Sequence, residues 1–259
     1  SNMEFDIVFD GSAYHPDQTR IAIDLLKNRT GHFIHLSSAS VYIDEIMPYT
    51  EDSLRGSSKS WGEYSTNKYN CEEILFREWN ENKFPVTILR PFYVYGPGNN
   101  LDRESYIFSR LLNDRTIVIP AMGDPVIQFG HIDDLCSAIM MVSQNNKCFG
   151  EAYSVSGNEH VSFKDWIEVC AKVLVIEPKL FLTATESTGY KSRDWFPFRD
   201  ISMFGSCEKI KKDTNFTPKY SIYEGLKQTV EAVGREYFMK CLKISEAEKD
   251  ILKQTQIFE

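Results

Sequence analysis

The chain has 259 residues, of which 42% are hydrophobic and 13% aromatic, so it is long enough to bury a full core as one large domain or two small ones. Its formal net charge is −8 and no run is rich in lysine or arginine, which argues against a nucleic-acid or anionic-membrane surface because phosphate binding needs clustered cations. No apolar run reaches about 18 residues and no signal peptide is recognisable, so a cytoplasmic protein without a membrane span is expected.

Strand and helix patterns alternate along the chain. The predicted strands are FDIVFDG (5–11), HFIHL (32–36), FPVTILRPFYVYGPG (84–98), TIVIP (116–120) and EAYSVSG (151–157). The predicted helices are 16–28, 64–80, 103–114, 131–145 and 161–174, the last with Ser162 as N-cap. Residues 175–220 have a mixed pattern, and 221–255 are mostly helical.

This alternation predicts an α/β fold with a doubly wound parallel sheet and a smaller second lobe. The first domain is expected over residues 4–158, with 99–127 leaning into the second, which takes 159–259. Ligands of such folds collect at the carboxyl ends of the strands. Here those ends read DGSAY, SSASVY and RPFYVYGPG, and all three carry small or polar residues.

Two stretches place a lysine one helical turn after a tyrosine, YSTNK (64–68) and YEGLK (223–227). On the helix over 64–80, Lys68 shares a stripe with Tyr64 and Leu75, and it is interpreted as the one charge on this inward face. A lysine held beside a phenol stabilises the phenolate, which makes Tyr64 a usable acid or base. Since no serine-rich strand end accompanies the second pair, that pair is predicted to lie on the surface of a C-terminal helix.

Four segments, in this order and spacing, resemble the extended short-chain dehydrogenase/reductase superfamily, and within it the NAD-dependent epimerase/dehydratase family. They are SSASVY (37–42), YSTNK (64–68), LRPFYVYGPG (89–98) and HIDDL (131–135). The resemblance covers nearly the whole chain after Met3. It implies a Rossmann-like sheet, with Ser38, Tyr64 and Lys68 as the catalytic residues and Pro91 against the nicotinamide.

The resemblance further implies NAD or NADP as cofactor and transient hydride transfer on a sugar or sugar nucleotide. Tyr64 would remove a hydroxyl proton, Lys68 would hold the cofactor ribose, and Ser38 would bond the reacting oxygen. The implied cofactor contacts are Gly11, Ser12, Ala13, Tyr64, Lys68 and Pro91. The implied substrate contacts are Ser38, Tyr93, Gln128 and Arg199. No metal is expected, because the five histidines have no metal-ligand spacing.

One family feature is missing, the glycine-rich GxxGxxG turn that binds the pyrophosphate at a helix N-terminus. Aligned by its motifs, the sequence starts at the family's fourth strand, so we expect a truncated cofactor half, weak NAD binding and impaired activity. The strand over 5–10 would then be an exposed apolar edge that a partner chain or another segment covers. The family pairs through the helix of the tyrosine and lysine, so a homodimer is expected, with Tyr69, Ile74 and Phe76 on its outer face.

Two alternatives to the epimerase or dehydratase remain open. The first is a non-catalytic binding or scaffold protein that retains the fold. The second is a reductase acting on a free carbonyl compound. Some relatives in the family bind RNA, and the net charge of −8 disfavours that variant here.

The substrate prediction rests on the position four residues before His131, where family epimerases commonly carry an arginine that grips the nucleotide diphosphate. This chain has Ile127 there, followed by the neutral amide of Gln128. Losing a charge-assisted contact costs about 1.5–3 kcal/mol, or roughly ten- to a hundredfold in affinity. We therefore predict that UDP- and GDP-hexoses raise the melting temperature little in a thermal-shift panel. Stabilisation of several degrees by UDP-glucose that disappears in Arg199→Ala would contradict this.

Overall fold

The computed structural model describes residues 3–43 and 46–254. Its strands are β1 (Val8–Asp10), β2 (Phe33–Leu36), β3 (Val86–Pro91), β4 (Tyr93–Tyr95), β5 (Ile117–Ile119), β6 (Val126–His131), β7 (Ala152–Val155), β8 (His160–Ser162) and β9 (Leu180–Leu182). Its helices are α1 (Pro16–Leu26), α2 (Glu63–Asn82), α3 (Glu104–Leu112), α4 (Ile132–Ser143), α5 (Phe163–Leu174), α6 (Glu208–Thr214), α7 (Ile222–Val233), α8 (Arg235–Lys240) and α9 (Glu246–Gln254). No helix of the described residues is both long and apolar enough to cross a bilayer.

The chain forms two compact units, each assembled from three segments. The first contains the described residues up to Val94, with Asp133–Ser156 and Phe204–Lys219. The second contains Tyr95–Ile132, Gly157–Met203 and the described residues from Tyr220 onward. The domain boundary expected after residue 158 stays a prediction.

A four-stranded parallel sheet forms the centre of the first unit, in the order β1-β2-β3-β7. In the register, Val8 lies opposite Phe33, and Phe33 lies opposite Val86. β7 closes the far side, where Ala152 lies opposite Ile88. The parallel strands and the helices between them confirm the predicted α/β fold class.

Both faces of this sheet are covered, since every residue of β3 and β7 is buried, which explains why these strands read as largely apolar runs. On one face, α1 and α2 pack against the strands through a buried cluster. The cluster comprises Ile23, Phe33, Leu75, Phe84, Val86, Ile88 and Ala152. Near the far edge, the Tyr153 hydroxyl of β7 donates to the Asp213 carboxylate of α6 over 3.1 Å. Because β1, β2 and β3 run parallel and pair in this order, their carboxyl ends lie side by side.

β1 is the edge strand of the sheet. Phe5, Ile7 and Phe9 are 39%, 45% and 46% exposed. A row of exposed apolar residues along the open side of a sheet is unusual, since proteins normally cover such edges. The apolar edge agrees with the sequence expectation, and what covers it stays a prediction.

The second unit contains two small strand pairs and five helices among its described residues. β5 pairs with β9 in parallel and β6 with β8 antiparallel. Phe129 of β6 stacks on Trp166 of α5 with ring centroids 3.6 Å apart. A buried ion pair fastens α9 to α3, since Arg110 Nε donates to Glu248 Oε1 over 2.8 Å. This unit has an aromatic core of its own.

The structure corrects the expected elements in several places. The predicted strand over 84–98 is two strands, β3 and β4, separated at Phe92. β6, β8 and β9 were not predicted, because their partners are distant in sequence and the local pattern does not reveal the pairing. The N-cap of α5 is Ser162, as predicted, and its side chain accepts a hydrogen bond from the Asp165 N–H.

Acid should weaken the fold through His32, which is 3% exposed at the start of β2. Its Nε2 lies 2.8 Å from the Thr87 hydroxyl, and burial lowers its pKa. Just below about pH 6.5 the unfolded chain therefore binds a proton at His32 while the folded protein still holds it neutral. The contribution of His32 to the free energy of unfolding is thus present above about pH 6.5 and is lost as the pH falls below that value.

We predict that the melting temperature falls less between about pH 6.5 and 5 in His32→Gln than in the unmodified protein. Glutamine keeps an N–H donor towards Thr87 and cannot titrate. Parallel pH curves for His32→Gln and the unmodified chain in a calorimetric series would show that His32 does not set the acid sensitivity.

Candidate active site at the carboxyl edge of the sheet

Lys68 connects α2 to the carboxyl ends of two strands. Its side chain is 6% exposed, and its Nζ donates to the carbonyl of Ala13 over 2.8 Å and to that of Leu36 over 2.7 Å. Ala13 follows β1 and Leu36 ends β2. Burial lowers the pKa of Lys68, and the surrounding Cys71, Asp10 and Glu72 oppose that shift. The predicted lysine therefore lies at the edge where the strands end.

Ser38 is the serine of the SSAS stretch that is partly accessible to a ligand. Its Oγ accepts from the Ser40 N–H over 3.2 Å and begins a short 3₁₀ turn, Ala39–Val41. Ser37 is 3% exposed and donates to Glu72 Oε1 over 2.6 Å, and Ser40 is 1% exposed. Within the described residues Ser38 donates to no acceptor. Of the three serines of this stretch, it alone is partly accessible. This geometry favours Ser38 among the three serines as a ligand contact.

Tyr64 stands in a row of aromatic rings. Its ring centroid lies 5.7 Å from that of Tyr14 and 6.3 Å from that of Trp61. Trp61 in turn lies 6.2 Å from Tyr93, so two of the predicted site residues are joined through a tryptophan that sequence reasoning did not select. The Tyr64 hydroxyl makes no hydrogen bond to a described residue, and the side chain is half-buried. A phenol in this position can meet a ligand.

Asp10 organises the turn that carries the predicted cofactor contacts. Its carboxylate accepts from the N–H groups of Ser12 and Ala13 over 3.1 and 3.0 Å, and from Nδ1 of His35 at 3.3 Å. Burial raises the pKa of Asp10, but the bond and charge of His35 and the two N–H groups outweigh it, so the pKa lies below its ordinary value. Gly11 and Ser12 are exposed and Ala13 is buried.

The interpretation of Lys68 as the only charge on the inward face of α2 is wrong. Glu72, one turn further, is 0% exposed. Its carboxylate is compensated by Arg90 of β3, whose Nε and Nη2 donate over 2.9 and 2.8 Å. The helical pattern of α2 alone does not reveal that Glu72 is buried, because its partner Arg90 lies on a distant strand.

The remaining predicted residues are divided between the two units. Pro91 ends β3 in the first unit and is buried. Gln128 and Arg199 belong to the second unit, where Gln128 is 4% exposed and its Nε2 donates to the Gly157 carbonyl over 2.8 Å. Arg199 is half-buried. The roles of these residues toward a ligand stay predictions.

The second tyrosine and lysine pair lies on the surface, as predicted. Tyr223 is 39% exposed on α7, and the ammonium of Lys172 lies over its ring at 5.3 Å. Lys227 pairs with Glu231, one turn away, at 3.8 Å. Among the described residues, no group of three or more His, Cys, Asp or Glu side chains is arranged to hold a metal ion.

The class of protein follows from comparison with known families. The sequence model of the NAD dependent epimerase/dehydratase family matches residues 17–156, the region that carries Ser38, Tyr64, Lys68 and Pro91. Because this match covers more than half of the chain, the protein belongs to the NAD dependent epimerase/dehydratase family.

The curated relatives of this chain include both a protein named for binding and proteins named as enzymes. The chloroplast stem-loop binding protein of 41 kDa b from Arabidopsis thaliana is 31% identical over 240 residues, which are 91% of this chain and 61% of that protein. The dTDP-D-glucose 4,6-dehydratase of Bos taurus is 28% identical over 205 residues, 78% of this chain and 56% of the dehydratase. The chain thus spans 56% to 61% of the length of these curated relatives.

A solved structure establishes the likeness of the fold. The UDP-glucuronic acid 4-epimerase from Bacillus cereus, in complex with UDP-glucuronic acid and NAD, aligns with 84% of this chain and 65% of its own chain. The TM-score is 0.70 at 22% sequence identity. At this identity the likeness speaks for the fold alone, and it confirms the Rossmann-like architecture.

Proposed function

We propose that the protein is an NAD- or NADP-dependent epimerase or dehydratase that acts on a sugar or a sugar nucleotide. The observation that carries the proposal is the double anchoring of Lys68 to the carbonyls of Ala13 and Leu36, which holds α2 at the carboxyl edge of the sheet. Ser38 follows the same strand two residues later, and Tyr64 precedes Lys68 by one turn. Family membership supports the assignment of these three residues.

The roles of the side chains follow from their donors and acceptors. Ser38 donates its free hydroxyl proton to the reacting oxygen of the substrate. Tyr64 takes the proton from that oxygen and later returns it. Lys68, fixed by two carbonyls, stabilises the phenolate by its charge. The aromatic neighbours of Tyr64 exclude water from one side of the reacting group.

The residues at this edge suit a nicotinamide nucleotide. An ammonium group has three protons, and Lys68 uses two of them on Ala13 and Leu36. Among the described residues the third has no acceptor, so it is available for a ribose hydroxyl. Gly11, Ser12, Ala13 and Pro91 would line the nicotinamide side. The cofactor, when bound, supplies the oxidation and the reduction.

The proposal extends to the substrate lobe and to assembly. The residues proposed to contact the substrate are Tyr93, Gln128 and Arg199. Of these, Arg199 carries the positive charge that could bind a phosphate group of the substrate. A cytoplasmic homodimer paired through α2 is the proposed assembly. Ile74 and Phe76, expected on the outer face of this helix, are half-buried and pack against the buried cluster of the first unit.

The test of the proposal is Tyr64→Phe, which removes only the ionisable oxygen. Turnover with NAD or NADP should be measured chromatographically on UDP-glucuronic acid and dTDP-glucose. We predict that kcat falls by about a hundredfold or more, while the melting temperature stays nearly unchanged because the hydroxyl bonds no described residue.

The matched control is Tyr223→Phe, the same substitution in a tyrosine and lysine pair of the same spacing. It should leave kcat unchanged. The site is misassigned if Tyr64→Phe keeps full activity while Tyr223→Phe loses it. Absence of turnover by the unmodified chain on every nucleotide sugar tested would speak against the enzymatic proposal as a whole.

A second candidate function is the binding of nucleic-acid stem-loops without catalysis, since the Arabidopsis relative is named a stem-loop binding protein. The net charge of −8 opposes it, because phosphate contacts require clustered cations. We predict that a stem-loop RNA binds more weakly than about 10 μM at physiological salt in fluorescence anisotropy. Submicromolar affinity with a steep salt dependence would instead favour the RNA-binding function.

A further inference from the structure

A single buried carboxylate, that of Glu72, gathers hydrogen bonds from three other parts of the first unit. Its Oε1 accepts from Ser37 Oγ over 2.6 Å and from Arg90 Nε over 2.9 Å. Its Oε2 accepts from Arg90 Nη2 over 2.8 Å and from Arg55 Nη1 over 2.7 Å. Four hydrogen bonds fill the acceptor capacity of an ionised carboxylate.

The network continues across the sheet through Arg90. Arg90 Nη1 donates to the Tyr42 hydroxyl over 3.2 Å, and the Tyr42 and Ser154 hydroxyls lie 2.8 Å apart. The main-chain N–H of Ser154 donates to Glu51 Oε1 over 2.7 Å. The carboxylate of one helix is thus connected to β3, to β7 and to the segment between β2 and α2.

The charges within this network hold one another in their ionised forms. Glu72 and Arg90 are 0% and 1% exposed. Burial alone would raise the pKa of Glu72, but the charge and hydrogen bonds of Arg90 lower it below its ordinary value. The two side chains depend on each other, because removing either one would leave the other as an uncompensated buried charge.

Three members of this network are close in sequence to a residue of the proposed active site. Ser37 precedes Ser38, Arg90 precedes Pro91, and Glu72 lies one turn after Lys68. We propose that Glu72 is a positioning residue, which sets the distances among Ser38, Lys68 and Pro91 by binding the side chains of the residues next to Ser38 and Pro91. This inference rests on the proposed function of the same edge, and it adds a group that touches neither substrate nor cofactor.

The chain offers a matched control in the next residue. Glu73 also accepts from Arg55, through Nη2 over 2.9 Å, but its side chain is 42% exposed and it contacts neither Ser37 nor Arg90 among the bonds of the described residues. Glu72→Gln and Glu73→Gln make the same chemical change at neighbouring positions of α2. Only the first removes the charge that Arg90 compensates.

The first measurement is independent of activity. Amide hydrogen exchange should become about tenfold faster in the segments around Ser38 and Lys68 in Glu72→Gln, and should stay unchanged there in Glu73→Gln. A purely structural role would instead accelerate exchange throughout the sheet of the first unit. Uniform acceleration, or exchange equal to that of Glu73→Gln, would overturn the proposal.

The second measurement is kinetic. Displacing catalytic groups by about 1 Å lowers the rate by roughly a hundredfold, so kcat should fall by that factor in Glu72→Gln while KM stays within about threefold. Unchanged kcat in a folded Glu72→Gln would overturn the proposal. If the unmodified chain turns over no nucleotide sugar, the proposed function fails, and the exchange comparison alone decides the role of Glu72.

A milder pair of variants covers the case in which Glu72→Gln does not fold. Ser37→Ala removes one hydrogen bond to Glu72 and no charge, and Ser40→Ala changes another buried serine of the same turn that does not contact Glu72. Exchange around Ser38 should rise in Ser37→Ala and not in Ser40→Ala. Equal exchange in these two variants would overturn the proposal.

Discussion

The ammonium group of Lys68, bound to two main-chain carbonyls, is the interaction on which the arrangement of the site depends. A charge withdrawn from water needs partners of fixed geometry, and Ala13 and Leu36 provide them at the ends of neighbouring strands. The helix that presents Tyr64 is thereby held in register with the strands that present Ser38. Lys68, which the sequence motif marks as a catalytic residue, is therefore also a structural link between helix and sheet.

Much of the site could be predicted from the sequence, because its residues lie in short motifs at fixed spacing. The strand end with Ser38 and the helix with Tyr64 and Lys68 are visible as local patterns, and the structure has both elements. The hydrogen bond between Asp10 and His35 and the ion pair of Glu72 with Arg90 were not predicted. They depend on pairings between distant segments, which no local periodicity contains. A signal was present in the arginine that ends the apolar run VTILR, since a buried charge requires a partner.

The division into two units explains why the second half of the chain was harder to predict. In the first unit, consecutive elements are neighbours in a parallel sheet, and the alternation of strand and helix follows directly. In the second, β6 pairs with β8 and β5 with β9, and each pair is separated by intervening helices or turns. Short strands of this kind owe their existence to tertiary contacts more than to their own composition.

The open edge of β1 has a consequence for the behaviour of the protein in solution. Its exposed apolar side chains alternate with the exposed Glu4 and Asp6, so two copies approaching edge to edge bring like charges together. Such residues act as gatekeepers against intermolecular strand pairing. Acidic side chains that oppose self-association thus lie along the same edge whose exposed apolar side chains favour it.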